Sequence, residues 1–368
     1  MRIFFVAQAT PNEFELPDSR LWHANLYLPL VDLGHELITF SHAWLPEGYK
    51  HDLVNPACLK AIRTRRLEFS EQLVREVKAA HQRRPIQLFF SYLTSAHVEP
   101  GAIDEIKKLG ITTINWYCNA SYQFHNVVEI APAFHYCLVP EKFRLADYRR
   151  AGAHPLYCQE AANPNVYRSH DLPREFDVTF VGQRYGSRSH YLRRLIDAGI
   201  DARIWGPSWQ RPSAPVWKKA ARYLRSRLLG NRTGYEWELP GHRCGPILSD
   251  EELIQMYSRS KISLGFTAVA QTPTTANTIK QVRLRDFEAT MSGAFYLVEY
   301  FEELAEFFEP DREIVFFRDE GELVDKARYY LKHEAEREEI RQAGMRRARS
   351  EHTWHKRFQT IFQQIGLT

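Results

Sequence analysis

Short apolar runs alternate with stretches of helical period from the first residues onward. RIFFVAQ, HELITF, IQLFFSY, TTINWYC and YCLVP read as strands, and helices are predicted through Trp22 to Leu33, Leu67 to His81 and Ile103 to Leu109. Apolar runs that alternate with helical patterns mark a parallel sheet wrapped by helices. Gly34 and Gly110 stand where helix C-caps belong. HPLYCQEAANPNVYRSHDLPRE, with its Asn-Pro and Pro-Asn steps, reads as a loop, and a domain boundary is placed near Arg168 to Glu175.

A second alternating series follows. Its predicted strands are FDVTFVGQ, ARIWGP, KISLGFT, AFYLVE and EIVFFRD; its helices run through Tyr191 to Ala198, Asp250 to Ser258, Arg283 to Met291 and Leu323 to Lys332. Two such series predict an α/β protein of two Rossmann-like, doubly wound parallel-sheet domains facing a central cleft. The expected divisions are residues 1–170, residues 171–350, and a C-terminal helix over 351–368 that packs back toward the N-terminal domain and braces the two. Apolar Trp354, Phe358, Ile361, Phe362 and Ile365 supply its buried stripe.

The 368 residues, 44% hydrophobic, are enough for two cores. No run of about 18 apolar residues occurs, and MRIFFVAQ enters a strand directly without the pattern of a secretory signal. A cytoplasmic protein is expected. Cys58, Cys118, Cys137, Cys158 and Cys244 are scattered without metal-ligand spacing, so reduced thiols are expected and no metal site.

The net charge of +4 is modest, but its distribution is uneven. Arg203, Arg211, Lys218, Lys219, Arg222, Arg225, Arg227 and Arg232 fall between Ala202 and Tyr235 without one acidic residue. Within the insertion 211–235, helical spacing gathers Val216, Trp217, Ala220, Ala221, Leu224, Leu228 and Leu229 on one side and the cations on the other. A segment over 214–232 built this way suits the inner face of a membrane or an anionic acceptor; it equally suits a solvated basic helix docked on the body by its apolar stripe.

Two clusters carry phosphate chemistry. In VTFVGQRYGSRSHYLRRL a strand yields to Gly182, Arg184 and Arg188 just before a helix, where backbone amides and guanidiniums can cradle phosphates. The spacing is not GxGxxG, and a plain strand-to-helix turn with solvated arginines fits as well. The second cluster is KQVRLRDFEATMSGAFYLVEY, in which Arg283 and Arg285 can neutralise a diphosphate and Glu288 can accept bonds from two ribose hydroxyls. Arg285 ranks behind Arg283 because alternate helical residues point apart. An amphipathic helix with a solvated charged face is the plainer reading of the same letters. The turn at Gly293 is expected to bring the helix end close to the ligand. Trp205 and Gly206 in RIWGPSW are candidates to pack a base or ribose, and Gly245, Pro246 and Ile247 are candidates to read a base edge. Ser249 and Glu252 form a predicted capping box.

On these residues the chain resembles the CgeB-like, spore-maturation-type glycosyltransferases of the GT-B fold. The likeness is carried by VTFVGQRYGSR and by the ordered run from ILSDEELIQMYSRSKISLGFT through VRLRDFEATMSGAFYLVEY to the C-terminal helices. GITTINWYCNA resembles the family's Gly-Ile…Trp-aromatic segment. The resemblance implies a sugar transferred, without a metal, from a nucleotide donor on the C-terminal domain to an acceptor on the N-terminal one. UDP is the first expectation for the nucleotide. Glu288 matches the glutamate that related enzymes place on the donor ribose. The earlier glutamate of the E-x7-E pattern falls on Lys280, and the Asp after the Trp-aromatic pair falls on Asn119.

The expected mechanism is stabilisation of the leaving diphosphate by Arg184, Arg188, Lys280 and Arg283. His23, Asp18, His97 and His125 are candidate bases or acceptor contacts, with His23 foremost. Likeness to the superfamily implies retention of configuration, in which case the departing phosphate can itself take the proton. The acceptor is left open among glycan, lipid-linked and protein classes. The rivals are a GT-B epimerase or phosphorylase, and a membrane- or nucleic-acid-binding protein on a degenerate scaffold. The aromatic and glycine signature of RNA-binding sheets is absent, which weighs against nucleic acid.

Overall fold

The computed structural model describes residues 1–7, 20–40, 56–210, 239–269 and 278–367, with Trp217, Ala221 and Leu224. The chain forms two compact units: Met1–Asn163 joined by Thr353–Thr368, and Pro164–His352.

The first unit is built on a six-stranded parallel sheet. Its strands are β1 (Arg2–Ala7), β2 (Glu36–Thr39), β3 (Leu88–Tyr92), β4 (Thr112–Trp116), β5 (Tyr136–Val139) and β6 (Pro155–Tyr157), in the order β2-β1-β3-β4-β5-β6. All five residues of β3 are buried, as expected of a strand covered on both faces. Around the sheet lie α1 (Leu28–Asp32), preceded by a π-helical turn at His23–Tyr27, then α2 (Pro56–Arg83), α3 (Pro100–Lys107) and α4 (Leu145–Arg150). α2 begins well before the predicted Leu67. β6 lies in the stretch read as loop. It is a half-buried edge strand that opens on Pro155, a position where the missing N–H does no harm.

The chain's last helix, α10 (Trp354–Gln364), belongs to this first unit. Trp354 packs edge-on to Trp116 at 5.0 Å and Phe358 edge-on to Phe90 at 5.6 Å. Burying each such ring contributes roughly 1.5–3 kcal/mol. Thr353 caps the helix by accepting from the Lys356 N–H at 3.2 Å.

The second unit holds a five-stranded parallel sheet: β7 (Phe176–Val181), β8 (Ala202–Trp205), β9 (Ser260–Gly265), β10 (Tyr296–Glu299) and β11 (Val315–Phe317), ordered β11-β10-β9-β7-β8. Its helices are α5 (Arg188–Asp197), α6 (Asp250–Arg259), α7 (Leu284–Met291), α8 (Glu320–Lys332) and α9 (Glu334–Glu351). The Ser249–Glu252 capping box is present at the start of α6. Strand order reverses between β7 and β9. Loops leaving their carboxyl ends diverge there and open a crevice, the place where doubly wound sheets bind ligands.

Candidate donor site at the carboxyl edge of the second sheet

The loops after β7 and β8 meet through glycine. Gly182 donates its N–H to the Trp205 carbonyl at 2.9 Å, and Gly206, at φ 126°, sits so close that a Cβ on it would lie 2.5 Å from the Gly182 carbonyl oxygen. The Gly206 N–H donates to the Pro246 carbonyl at 3.2 Å and the Gly245 N–H to the Ile204 carbonyl at 2.7 Å. A side chain at Gly245 would run into the Trp205 indole. Gly182, Trp205, Gly206, Gly245 and Pro246 therefore form one packed layer. The Gly245 N–H and the Pro246 carbonyl are used within the fold; Ile247 next to them is exposed. Trp209 is core: its indole N–H donates to the Gly182 carbonyl at 2.6 Å.

Arginines crowd the same edge. Arg188, at the start of α5, is only 7% exposed. It donates to the Gln183 carbonyl at 2.8 Å and the Tyr185 hydroxyl at 2.6 Å, while its Nε is buried without a partner. Burial, with the nearby Tyr185 working the other way and Arg283 and Arg285 adding to the effect, lowers its pKa to about 9. No carboxylate among the described residues is bonded to it. Arg184 donates to the Ser189 hydroxyl at 3.2 Å and lies 5.8 Å from the Trp209 ring.

α7 delivers the second cluster. Arg283 is its N-cap, reaching the Ala268 carbonyl at 2.8 Å and leaving Nε buried and unpartnered. Arg285 does not point away. It turns into the unit, donating to the Val181 carbonyl at 2.8 Å and lying near Tyr257 and Glu288. Burial opposes its charge, but Tyr257 and Glu288 outweigh that and hold its pKa above the usual range. Glu288 is 2% exposed, and its Oε1 has no partner. Burial raises its pKa, against the pull of Arg285 and a hydrogen bond from Tyr167.

Lys280 is engaged by the protein itself: its ammonium lies 3.0 Å from Glu299 and donates to the Tyr300 carbonyl at 2.8 Å. Glu299 in turn accepts from the Thr267 and Ala268 N–H groups, both at 3.1 Å, and so fixes the loop after β9 whose carbonyl receives Arg283. The Gly293 turn, expected near the ligand, caps α7 at its far end. A Cβ there would meet Arg341 and Ser169, and the turn feeds the amino end of β10, on the opposite edge of the sheet.

The other candidates lie in the first unit. His23 is exposed and stacked on Tyr27 at 4.8 Å, with its pKa lowered by partial burial and by Arg20. His97 is buried, its Nδ1 taking the Thr94 N–H at 3.0 Å; His125 is exposed. Asn119 accepts from Tyr122 at 3.4 Å. Asp18 and the insertion 211–235, apart from Trp217, Ala221 and Leu224, lie outside the described residues. Sequence reasoning passed over Tyr185, Tyr167 and Glu299. Only Tyr185 carried a signal, an aromatic set between two arginines. Among the described residues no group of three or more His, Cys, Asp or Glu could hold a metal ion, and no helix is long and apolar enough to cross a membrane.

Comparison with known proteins gives this arrangement a class. Residues 188–363 match the family model described as glycosyl transferase-like. In shape the chain is similar to sucrose-phosphate synthase of Thermosynechococcus elongatus, at 12% identity over 99% of each chain and a TM-score of 0.60. It is also similar to Alr3699/HepE of Anabaena, solved with UDP and glucose, at 12% identity over 100% of each chain and a TM-score of 0.55. AviGT4, a glycosyltransferase involved in avilamycin A biosynthesis, matches at 16% identity over 99% of this chain and 96% of its own, with a TM-score of 0.53. No curated protein sequence matches the chain. The fold is GT-B, and the match over residues 188–363 makes that part of the chain similar to glycosyl transferases.

Proposed function

We propose that the protein is a CgeB-like glycosyltransferase that moves a sugar from a nucleoside diphosphate to an acceptor on the Met1–Asn163 unit. One observation carries the reading: among the described residues Arg188 is buried with only neutral acceptors, with Arg283 near it, and Glu288 on the helix that Arg283 caps keeps a carboxylate oxygen unpartnered. An uncompensated buried cation is costly, and a diphosphate removes that cost. Glu288 accepts a ribose hydroxyl through Oε1, and the layer around Trp205 and Gly245 receives the base. UDP is the leading nucleotide, by analogy with Alr3699/HepE, which was solved with UDP and UDP-glucose.

In this reading the bond from the anomeric carbon to the diphosphate oxygen breaks as the acceptor oxygen bonds to that carbon on the same face. Attack on that same face retains configuration, and the acceptor's proton passes to the departing diphosphate. Arg188 and Arg283 supply the positive charge that makes a metal ion unnecessary. Lys280, held by Glu299, orders the loop after β9 and does not meet phosphate.

A thermal-shift series with UDP-, GDP-, dTDP- and ADP-sugars tests the reading, since a ligand of the folded state raises its melting temperature. One of them should raise it, and should lose that effect in Glu288→Ala. No shift with any of the four would contradict it.

A further inference from the structure

Tyr185 stands in the turn from β7 to α5, immediately before Gly186, whose φ of 56° makes the bend. The Arg188 guanidinium lies 3.7 Å from the centre of the Tyr185 ring, and Arg283 lies 5.9 Å from the same ring. Arg188 also donates to the phenol oxygen at 2.6 Å. A phenol is both donor and acceptor. Here its acceptor side is taken by a cation, and among the described residues nothing receives its own proton. A hydrogen bond from a cation draws density from the oxygen and makes the O–H a stronger donor.

Around this O–H, Arg188 and Arg283 each keep a buried Nε without a partner, and among the described residues no carboxylate is bonded to either guanidinium. Such a set of donors matches an anion with several oxygens. We propose that Tyr185 is a diphosphate-binding residue whose O–H donates to an oxygen of the donor's diphosphate while Arg188 holds the phenol in place. The proposal rests on the nucleotide-sugar reading and adds to it a residue that neither the resemblance nor the comparisons assign. Phenylalanine at this position would keep the ring over Arg188 and remove only the hydroxyl, so the stacked guanidinium stays seated.

The test is calorimetric titration of the full chain and of Tyr185→Phe with inorganic pyrophosphate and with whichever of UDP, GDP, dTDP or ADP binds the unaltered protein. The matching nucleoside, followed by ligand-detected NMR, is the control. The expected result is that Tyr185→Phe weakens pyrophosphate and nucleoside diphosphate by a common factor of about ten, as for loss of one charge-assisted bond, and leaves the nucleoside unchanged. Tyr185→Ala, which also removes the stack, should weaken both further. Unaltered pyrophosphate binding in Tyr185→Phe overturns the role of Tyr185 alone, and an equal loss of nucleoside binding overturns it in favour of a structural one. If the unaltered protein binds none of the four diphosphates, the nucleotide-sugar reading falls first and this proposal with it.

Discussion

The guanidinium of Arg285 donates to the carbonyl of Val181 at 2.8 Å and so fastens the amino end of α7 to the carboxyl end of β7. The bond joins two parts of the second unit 104 residues apart and leaves Arg283 and Glu288, on the same helix, aimed from a fixed base. Arg285→Ala removes the bond to Val181 and the positive charge near a buried Glu288, and loss of a charged hydrogen bond costs about 1.5–3 kcal/mol. The thermal transition of the Pro164–His352 unit should fall by several degrees, and donor binding with it. Arg285→Lys should recover part of the stability and little of the binding, because an ammonium lacks the guanidinium's fixed fork of donors.

Gly206 makes a sharper prediction. Its φ of 126° is a conformation that L side chains rarely adopt, and the Gly182 carbonyl occupies the space of a Cβ. Gly206→Ala should destabilise by about 1–3 kcal/mol and lower nucleotide affinity by displacing Gly182. Denaturant unfolding together with nucleotide titration checks both.

Asp286 gives a pH signature. Its oxygens accept from the Arg283 N–H and the Tyr296 hydroxyl, both at 2.8 Å, yet burial dominates and raises its pKa from 3.8 to about 6. A carboxyl raised on folding contributes stability that is complete below pH 3.8 and lost as pH rises through about 6. The stability difference between the unaltered protein and Asp286→Asn should therefore shift against the unaltered protein as pH climbs through that window. A difference that stays constant from pH 4 to 7 would contradict the assignment.

Contact of the basic segment with an anionic surface is a proposal that the cations of residues 214–232 make testable. Charge reversal at Lys218, Lys219 and Arg222 should reduce co-sedimentation with phosphatidylglycerol vesicles at least tenfold and leave soluble nucleotide binding intact. Equal loss of both would assign the segment a structural role.

Most strands and helices were legible because short apolar runs alternate with stretches of helical period. β6 was not, since an edge strand of three half-buried residues has no pattern to read. The charges of the candidate site were legible: GQRYGSR and RLRDFEAT contain Arg188, Arg283 and Arg285, which lie near one another, and Glu288, which lies near Arg285. Their pairing was not. Nothing in the order of residues says that Lys280 is occupied by Glu299, that Arg285 turns inward to Val181, or that Arg188 is left without a carboxylate among the described residues. Each of these depends on which loops the parallel sheet brings to one edge.

The most direct measurement is a crystal structure of the protein with the nucleoside diphosphate that raises its melting temperature most. The account predicts phosphate oxygens within hydrogen-bonding distance of Arg188 and Arg283 and a ribose hydroxyl on Oε1 of Glu288. A nucleotide bound elsewhere, with Glu288 still facing no ligand, would contradict it.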